Sequence, residues 1–524
     1  MVTSASARTL GDLLALRATE RPGDEAVVFP GDRHTYAELA ARSTAVARGL
    51  LGLGVAPGDR VGILLPASVD LLAVLFGATT IGAIAVPVNA RFTAGEVAGL
   101  VRHSGMAVLV TDADDLVPAD APELRHVVAP ADLPAVSGAT DADVAYAAEA
   151  VRVRDTAVIV YTSGTTAAPK GAMLSHEALT RLPAGIAERM ALTSDDRVWT
   201  AIPLFHGGGI TFALSCVTAG APFVHPGTFD PASTPAYLES ERVTVALAAF
   251  ETIWMPVLNH PEFASRDLTR IRLVMAVGVP ERLRNMASRV PQATHVSCVA
   301  MTESSAFLTL NRLDDPAEAR ATTGGHPMPG MRCRVVDPDT GRDVPSGVEG
   351  ELWFHGPNAF DGYFRDPEET ARVIDDRGWF HSGDVVVADA DGRLTFRSRL
   401  KDMLKVGGEN VAAAEVEGHL LTHPAVGIVA VVAAPDAHYV EVPAAYVQLR
   451  DGATATEQEL IAHCLDAIAT YRVPRYVRFV TEWPMSGTKI RKVELRARIA
   501  AELEAAGVTE APRLRSARSA ARQP

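Results

Sequence analysis

A run of hydroxyl side chains closing on a lysine is the most chemically loaded pattern in this chain. It reads Tyr161-Thr162-Ser163-Gly164-Thr165-Thr166-Ala167-Ala168-Pro169-Lys170-Gly171. Hydroxyls and backbone N–H groups donate hydrogen bonds, Gly164 lets the chain turn closely, and Lys170 adds a positive charge. That is the chemistry needed to cradle a polyphosphate. The run is not a Walker A loop, because Pro169 stands where the second glycine belongs and Gly171 where Ser or Thr belongs. An ordinary surface turn is the plain alternative for such a segment.

Other chemistry-bearing residues follow in order. Pro203-Leu-Phe-His206-Gly-Gly-Gly209 brings an imidazole to a glycine-rich bend. The same tetrapeptide serves lipase-like hydrolases as an oxyanion loop, but those need a G-x-S-x-G elbow, and none occurs here. Thr302 and Glu303 pair a hydroxyl with a carboxylate, which alone could be only a helix cap. Asp384 closes Gly378-Trp-Phe-His-Ser-Gly-Asp384 and precedes Arg399 and the Gly407-Gly408-Glu-Asn410 turn. An aspartate there can accept charge-assisted hydrogen bonds, or can simply cap a surface turn. Lys489 sits in the basic segment Pro484-Met-Ser-Gly-Thr-Lys-Ile-Arg-Lys-Val-Glu-Leu-Arg496, where a lysine is ordinarily only solvated charge.

These residues need a framework to hold them. Val61–Leu65, Ala107–Val110, Ala157–Val160 and Arg272–Met275 read as short buried strands, each near an amphipathic helical segment. Such alternation predicts α/β layers with largely parallel sheets. Leu71 to Val88 is uncharged, yet glycines, paired threonines and Pro87 break it, so it reads as a buried helix leading into a strand rather than a membrane span. Gly350–Phe354 and Gly392–Phe396, among Pro- and Gly-rich turns, read as antiparallel strands of a small distorted barrel or sheet. Beyond a boundary near 399–402, the pattern predicts a helix over 414–421, strands over 427–432 and 440–449, a helix over 457–470 and a strand over 476–480. The expected organisation is a large N-terminal domain (1–398), a small mobile α+β domain (399–505) and a disordered tail (506–524).

With 524 residues, 48% apolar and 21% charged, the chain has a globular composition and too much length for one core. A formal charge of −14 argues against general nucleic-acid binding. Cys216, Cys298, Cys333 and Cys464 are scattered without a CxxC pair, and the N-terminus lacks the apolar core of a signal peptide. A reducing cytoplasm fits both features.

Taken together and in this order, the motifs resemble those of the AMP-forming adenylating enzymes: acyl-CoA synthetases, nonribosomal-peptide adenylation domains and luciferases. The likeness covers about residues 10 to 505 and is nearest to acyl-CoA ligases. It implies ATP and Mg²⁺, with CoA as co-substrate. Thr162, Ser163, Gly164, Thr165, Thr166 and Lys170 would hold the phosphates, and Thr302 the α-phosphate. Glu303 would help hold the metal, and Asp384 with Arg399 the ribose. His206 would flank the acyl site, Lys489 would serve adenylation, Lys401 would be the domain hinge, and Gly407 and Gly408 would line a pantetheine tunnel.

Departures from the family pattern bear on the substrate. Ala167 replaces a glycine, and Val299-Ala300 replace an aromatic and a glycine ahead of Thr302. Ala276-Val277-Gly278-Val279-Pro280 and Ala300 stand where relatives have a Gly-Gly-Ala-Pro turn and a glycine, and the added methyl groups on the expected acyl wall disfavour a long chain. Phe250 and Glu251 replace a commoner Val-Pro pair. Glu251 either faces solvent or faces the pocket, where it would repel a second carboxylate and favour an amino-bearing partner. The leading expectation is a ligase joining a small or aromatic acid to CoA. Alternatives are a diazotase that activates nitrite for an aryl amine, an enzyme that loads a carrier protein, and a non-catalytic binding module.

Overall fold

The protein is described by a computed structural model covering all residues except 1–7, 119, 163–169, 401–402, 407–408, 466, 487–488, 513 and 515–524. It divides into two compact units. The first comprises Met1–Cys333, Trp353–His381 and Gly392–Leu394; the second comprises Arg334–Leu352, Ser382–Asp391 and Thr395–Pro524. The second thus takes in segments upstream of the 399–402 region.

In the first unit a helix, Leu10–Glu20, precedes β1 (Glu25–Phe29) and β2 (Asp32–Thr35). Six strands follow: β3 (Arg60–Leu64), β4 (Ile84–Pro87), β5 (Met106–Thr111), β6 (His126–Val128), β7 (Thr156–Thr162) and β8 (Lys170–Ser175). Five more are β9 (Val198–Trp199), β10 (Phe223–Val224), β11 (Val245–Ala249), β12 (Leu273–Ala276) and β13 (Thr294–Val296). They build two sheets, β6-β5-β3-β4-β7-β8 and β13-β12-β11-β9-β10-β1-β2. Pairing is parallel except at the edges β7/β8 and β1/β2. The predicted parallel α/β layers are therefore present.

Continuous apolar runs explain why these strands lie inside. Every residue of β5 and β11 is buried, as parallel strands covered on both faces require. The uncharged stretch after Ser68 is the helix Val69–Thr80, capped by the Ser68 hydroxyl and buried along nearly its whole length, and it leads into β4. Surface helices start on capping boxes, Thr9 with Asp12, Thr35 with Glu38 and Thr93 with Glu96. None of the described helices is long and apolar enough to cross a membrane.

Strands Arg332–Val336, Glu349–His355, Phe380–Ala388 and Leu394–Arg399 form a sheet in that order, where the sequence suggests a small barrel or sheet. In the second unit, Val440–Leu449 lies between Val426–Asp436 and Tyr476–Phe479, with Met403–Val406 and Glu409–Ala412 beyond. The two faces of this sheet follow strand alternation. Val429, Val431 and Ala433 pack with Val416, Leu420, Leu460 and Cys464, while Ala430, Val432 and Ala434 pack with Leu495, Ile499 and Leu503. The predicted helix over 457–470 is shorter, Glu457–Cys464, and a separate turn at Thr470–Arg472 follows. Among the described residues all four cysteines are free thiols.

Candidate active site

The lysine of the hydroxyl-rich segment is positioned by an edge hairpin. β7 and β8 pair antiparallel up to Thr162 opposite Lys170, and the Thr162 hydroxyl donates to the Lys170 carbonyl at 3.4 Å. The connection between them holds Ser163, Gly164, Thr165 and Thr166, which lie outside the described residues. Segment 361–364 then lies along β8. Ala172 bridges Tyr363, Phe364 N–H donates to the Gly171 carbonyl at 2.8 Å, and Met173 N–H donates to the Gly362 carbonyl at 3.0 Å. This brings Tyr363 and Glu369 to Lys170. The ammonium pairs with the Glu369 carboxylate and stands 5.2 Å from the centre of the Tyr363 ring.

Tyr363 also reaches the Thr-Glu motif. Its hydroxyl donates to Glu303 Oε1 at 2.7 Å, and Phe360 N–H donates to the Glu303 carbonyl at 2.9 Å. Thr302 and Glu303 open a tight turn that ends on Ser305 at φ 60° and Ala306 at φ 120°, backbone that non-glycine residues seldom adopt. Two side-chain bonds hold it: the Ser305 hydroxyl donates to the Asn358 carbonyl at 2.9 Å and the Thr211 hydroxyl to the Ser305 carbonyl at 2.8 Å.

Thr211 belongs to the helix Gly207–Ala219, whose first turn is the Gly-Gly-Gly run and whose N-cap is the half-buried His206. Gly209 is required there, since a Cβ would fall 2.4 Å from the Pro203 carbonyl. A Cβ on Gly207 would meet nothing within 4 Å, so the helix start faces open space. The His206 and Phe205 rings lie 5.1 Å apart.

The expected acyl wall forms where adjacent parallel strands end. Val277 N–H donates to the Ala249 carbonyl at 2.7 Å, so Phe250-Glu251 and Val277-Gly278 leave β11 and β12 side by side. Val277, Gly278 and Ala300 are exposed, whereas Val299 is buried with its methyl toward Gly324. Glu251 is half-buried. Its Oε1 lies 2.7 Å from the place a Gly278 Cβ would take, and its Oε2 lies 3.8 Å from Arg282 Nε. Burial pushes its carboxyl above the ordinary range, and Arg282 only partly offsets that. Both sequence readings of Glu251 are thus partial: it is neither fully solvated nor sealed.

In the second unit, Arg399 Nε lies 2.7 Å from the buried Asp384 carboxylate. The Asp384 N–H donates to the Ser382 hydroxyl at 3.0 Å, and Gly383 N–H donates to Glu351 Oε1 at 3.0 Å. Gly383 takes φ 67°, which explains the glycine. Lys489 opens the short strand Lys489–Ile490, paired with Met485–Ser486. Lys401, Gly407 and Gly408 lie outside the described residues.

Tyr363, Glu369 and Arg282 are absent from the sequence-derived set. No spacing signals the first two, because an antiparallel bridge across distant parts of the chain brings them to Lys170.

A hydroxyl-rich segment closing on a lysine at the edge of a largely parallel sheet, with a carboxylate beside that lysine, carries groups chemically suited to phosphate. Comparison with known proteins narrows this chemistry. Residues 14–364 match the family described as AMP-binding enzyme, and residues 415–489 match the AMP-binding enzyme C-terminal domain. The chain belongs to the AMP-binding enzyme family. It is similar to feruloyl-CoA synthase of Amycolatopsis sp, 36% identical, with 93% of this chain and 99% of the relative covered. It is 32% identical to long-chain-fatty-acid–CoA ligase FadD13 of Mycobacterium tuberculosis, over 93% of this chain and 98% of that one. Among solved structures it resembles ATP-bound MatB from Rhodopseudomonas palustris at 28% identity and TM-score 0.85, covering 94% of this chain and 99% of the other. Its enzyme class is that of AMP-forming acid–CoA ligases, which act on a carboxylic acid, ATP and CoA.

Proposed function

We propose that this chain adenylates a small or aromatic carboxylic acid with ATP and transfers the acyl group to CoA. The observation that carries the reading is the convergence of Lys170, the last residue of the hydroxyl-rich segment before Gly171, and Glu303 on Tyr363. The exposed Val277, Gly278 and Ala300 beside the half-buried Glu251 support a compact substrate with a polar end. A relative named for feruloyl-CoA, an aromatic acyl thioester, points the same way.

A carboxylate is a poor electrophile because its oxygen leaves badly. In the first step the acid's oxyanion attacks the α-phosphorus of ATP, forming the acyl–O–P bond as the bond to pyrophosphate breaks. The protein aligns two anions and offsets charge in the transition state. Thr162, Ser163, Thr165, Thr166 and Lys170 hold the β- and γ-phosphates, Thr302 the α-phosphate, Asp384 and Arg399 the ribose, and Lys489 the attacking oxygen. In the second step the CoA sulfur attacks the acyl carbon, AMP departs, and the thiol proton passes to solvent. His206 flanks that carbon; by the family resemblance Gly407 and Gly408 would line the thiol's approach and Lys401 would be the hinge.

Among the described residues no group of three or more His, Cys, Asp or Glu stands together to hold a metal, so an all-protein cage is not offered. Mg²⁺ needs none, because one carboxylate and substrate phosphates suffice, and Glu303 supplies a hard oxygen donor. Bound there, the ion would neutralise phosphate charge.

The test is AMP and pyrophosphate release from ATP and Mg²⁺ against short acids, aryl acids, long-chain acids and nitrite. Each is run with CoA, with an aryl amine, with a carrier protein and with none. Turnover that needs a short or aryl acid and CoA sustains the reading. Turnover only with nitrite and an amine, or only with a carrier protein, replaces it.

A further inference from the structure

Glu369 has no part in the functional set read from the motifs, yet it is the carboxylate that Lys170 meets. It lies in the first turn of the helix Pro367–Val373, where its N–H donates to Asp366 Oδ1 at 3.0 Å. Arg372, one turn on, donates twice to the same carboxylate, with Nε to Oε2 at 2.6 Å and Nη2 to Oε1 at 2.5 Å. The Tyr363 N–H donates to the Thr370 hydroxyl at 2.9 Å, which joins this helix to the residue whose ring lies under the ammonium.

The pair differs from a solvated surface bridge. Only 22% of the Lys170 side chain and 15% of the Glu369 side chain are exposed, whereas Arg372 is 68% exposed. A half-buried carboxylate stripped of its only cation would be costly. Here Arg372 stays behind when Lys170 leaves, so the ammonium can change partners without orphaning Glu369. Hydrogen bonds from Arg372 and then from Lys170 hold the Glu369 carboxyl at about 2, so it keeps its charge at any working pH.

We propose that Glu369 is a positioning residue for Lys170: it holds the ammonium against Tyr363 in the nucleotide-free enzyme and competes for it with the terminal phosphates of ATP. This rests on the reading of Lys170 as a phosphate-binding group. The carboxylate has two opposing effects on catalysis. As a competitor for the Lys170 ammonium it weakens nucleotide binding, and as an anchor it keeps the ammonium in register for the transition state. Removing its charge therefore tightens ATP binding while slowing adenylation, a split that plain loss of structure does not give.

The experiment compares the full-length wild type with Glu369→Gln and Glu369→Asp, each also on a Lys170→Ala background. ATP and inorganic triphosphate affinities are measured by calorimetry, and kcat and KM for ATP by pyrophosphate release. Glu369→Gln is expected to bind triphosphate about threefold to tenfold tighter, the scale of one partly screened ion pair, and to lose about tenfold in kcat. Glu369→Asp should recover most of kcat, and the affinity gain should vanish when Lys170 is alanine. Unchanged or weaker triphosphate binding in Glu369→Gln, or a gain that persists without Lys170, overturns the proposal. Binding is read without turnover, so a wild type that binds ATP but activates no acid defeats the ligase reading and still decides this one.

Discussion

Tyr363 donates its hydroxyl to Glu303 while its ring face receives the Lys170 ammonium, so one side chain ties the carboxylate to the lysine of the hydroxyl-rich segment. If Glu303 helps hold Mg²⁺, this bond aims the carboxylate. Tyr363→Phe keeps the ring and removes the bond. Outer-shell partners of metal ligands are worth about tenfold or more in metal affinity. The Mg²⁺ concentration for half-maximal pyrophosphate release should rise by about that factor. A thermal midpoint that falls while the Mg²⁺ dependence stays put would show that the bond serves only the fold.

Glu251 and Gly278 make a second test, aimed at substrate choice. A methyl on Gly278 would fall 2.7 Å from Glu251 Oε1, and only movement of the carboxylate relieves that contact. Gly278→Ala should therefore raise KM for the acid with little change in KM for ATP. Glu251→Gln removes charge without removing bulk. An acid whose far end bears an amino group should lose about tenfold in kcat/KM, roughly one hydrogen bond to a charged group, while unsubstituted benzoate holds steady. Steady-state kinetics on the benzoate and aminobenzoate pair checks this, and equal losses for both would remove Glu251 from substrate recognition.

Much of this fold was legible in the sequence because parallel strands covered on both faces carry a signal that survives without neighbours. The runs at Ala107–Val110 and Ala157–Val160 fall within strands of the structure, and the run at Arg272–Met275 overlaps the strand Leu273–Ala276. Helix ends were less legible. Cys464 ends a helix that the apolar pattern would carry to 470, because Leu465 and Ile468 join the same core from irregular backbone. For the site, spacing could nominate Lys170 and Glu303 but not Tyr363, whose place depends on an antiparallel bridge to Ala172. The partial burial of Glu251 was equally hidden, because it depends on which neighbouring strand ends beside β11.

Two buried histidines give the protein an acid-sensitive stability. His176 accepts the Leu10 N–H at 3.2 Å and His225 accepts the Gly227 N–H at 3.0 Å, roles that need neutral rings. Burial lowers both to about 4, with weaker opposing effects from Asp155 and Asp12 at His176 and from the Ile202 carbonyl at His225. Between the unfolded value near 6.5 and about 4 the unfolded chain binds more protons than the folded one. Stability is therefore full above that window and falls as pH drops through it, by up to roughly 3 kcal/mol per ring. Urea midpoints at pH 7 and pH 4.5 measure the loss. His225→Asn, which keeps an acceptor for Gly227, should be less stable at pH 7 and show a shallower slope; an unchanged slope would move the acid sensitivity elsewhere.

Lys489 separates the two half-reactions. Its assigned task is to offset charge on the attacking carboxylate oxygen and the α-phosphate, charge that exists only while the adenylate forms. Thioester formation begins from the adenylate and makes no such demand. Lys489→Ala should then lose about 10²–10³ in adenylation, the scale for one transition-state stabiliser. Conversion of supplied acyl-adenylate and CoA to thioester should proceed within about threefold of the wild-type rate. Single-turnover assays of each step, run on the same preparation, make the comparison independent of active fraction. Equal losses in both steps would mean that Lys489 supports the structure of the second unit instead, since a damaged unit would impair whichever step it serves. A loss confined to the thioester step would assign the lysine to CoA and leave the adenylation charge to Lys170 and the hydroxyl-rich segment.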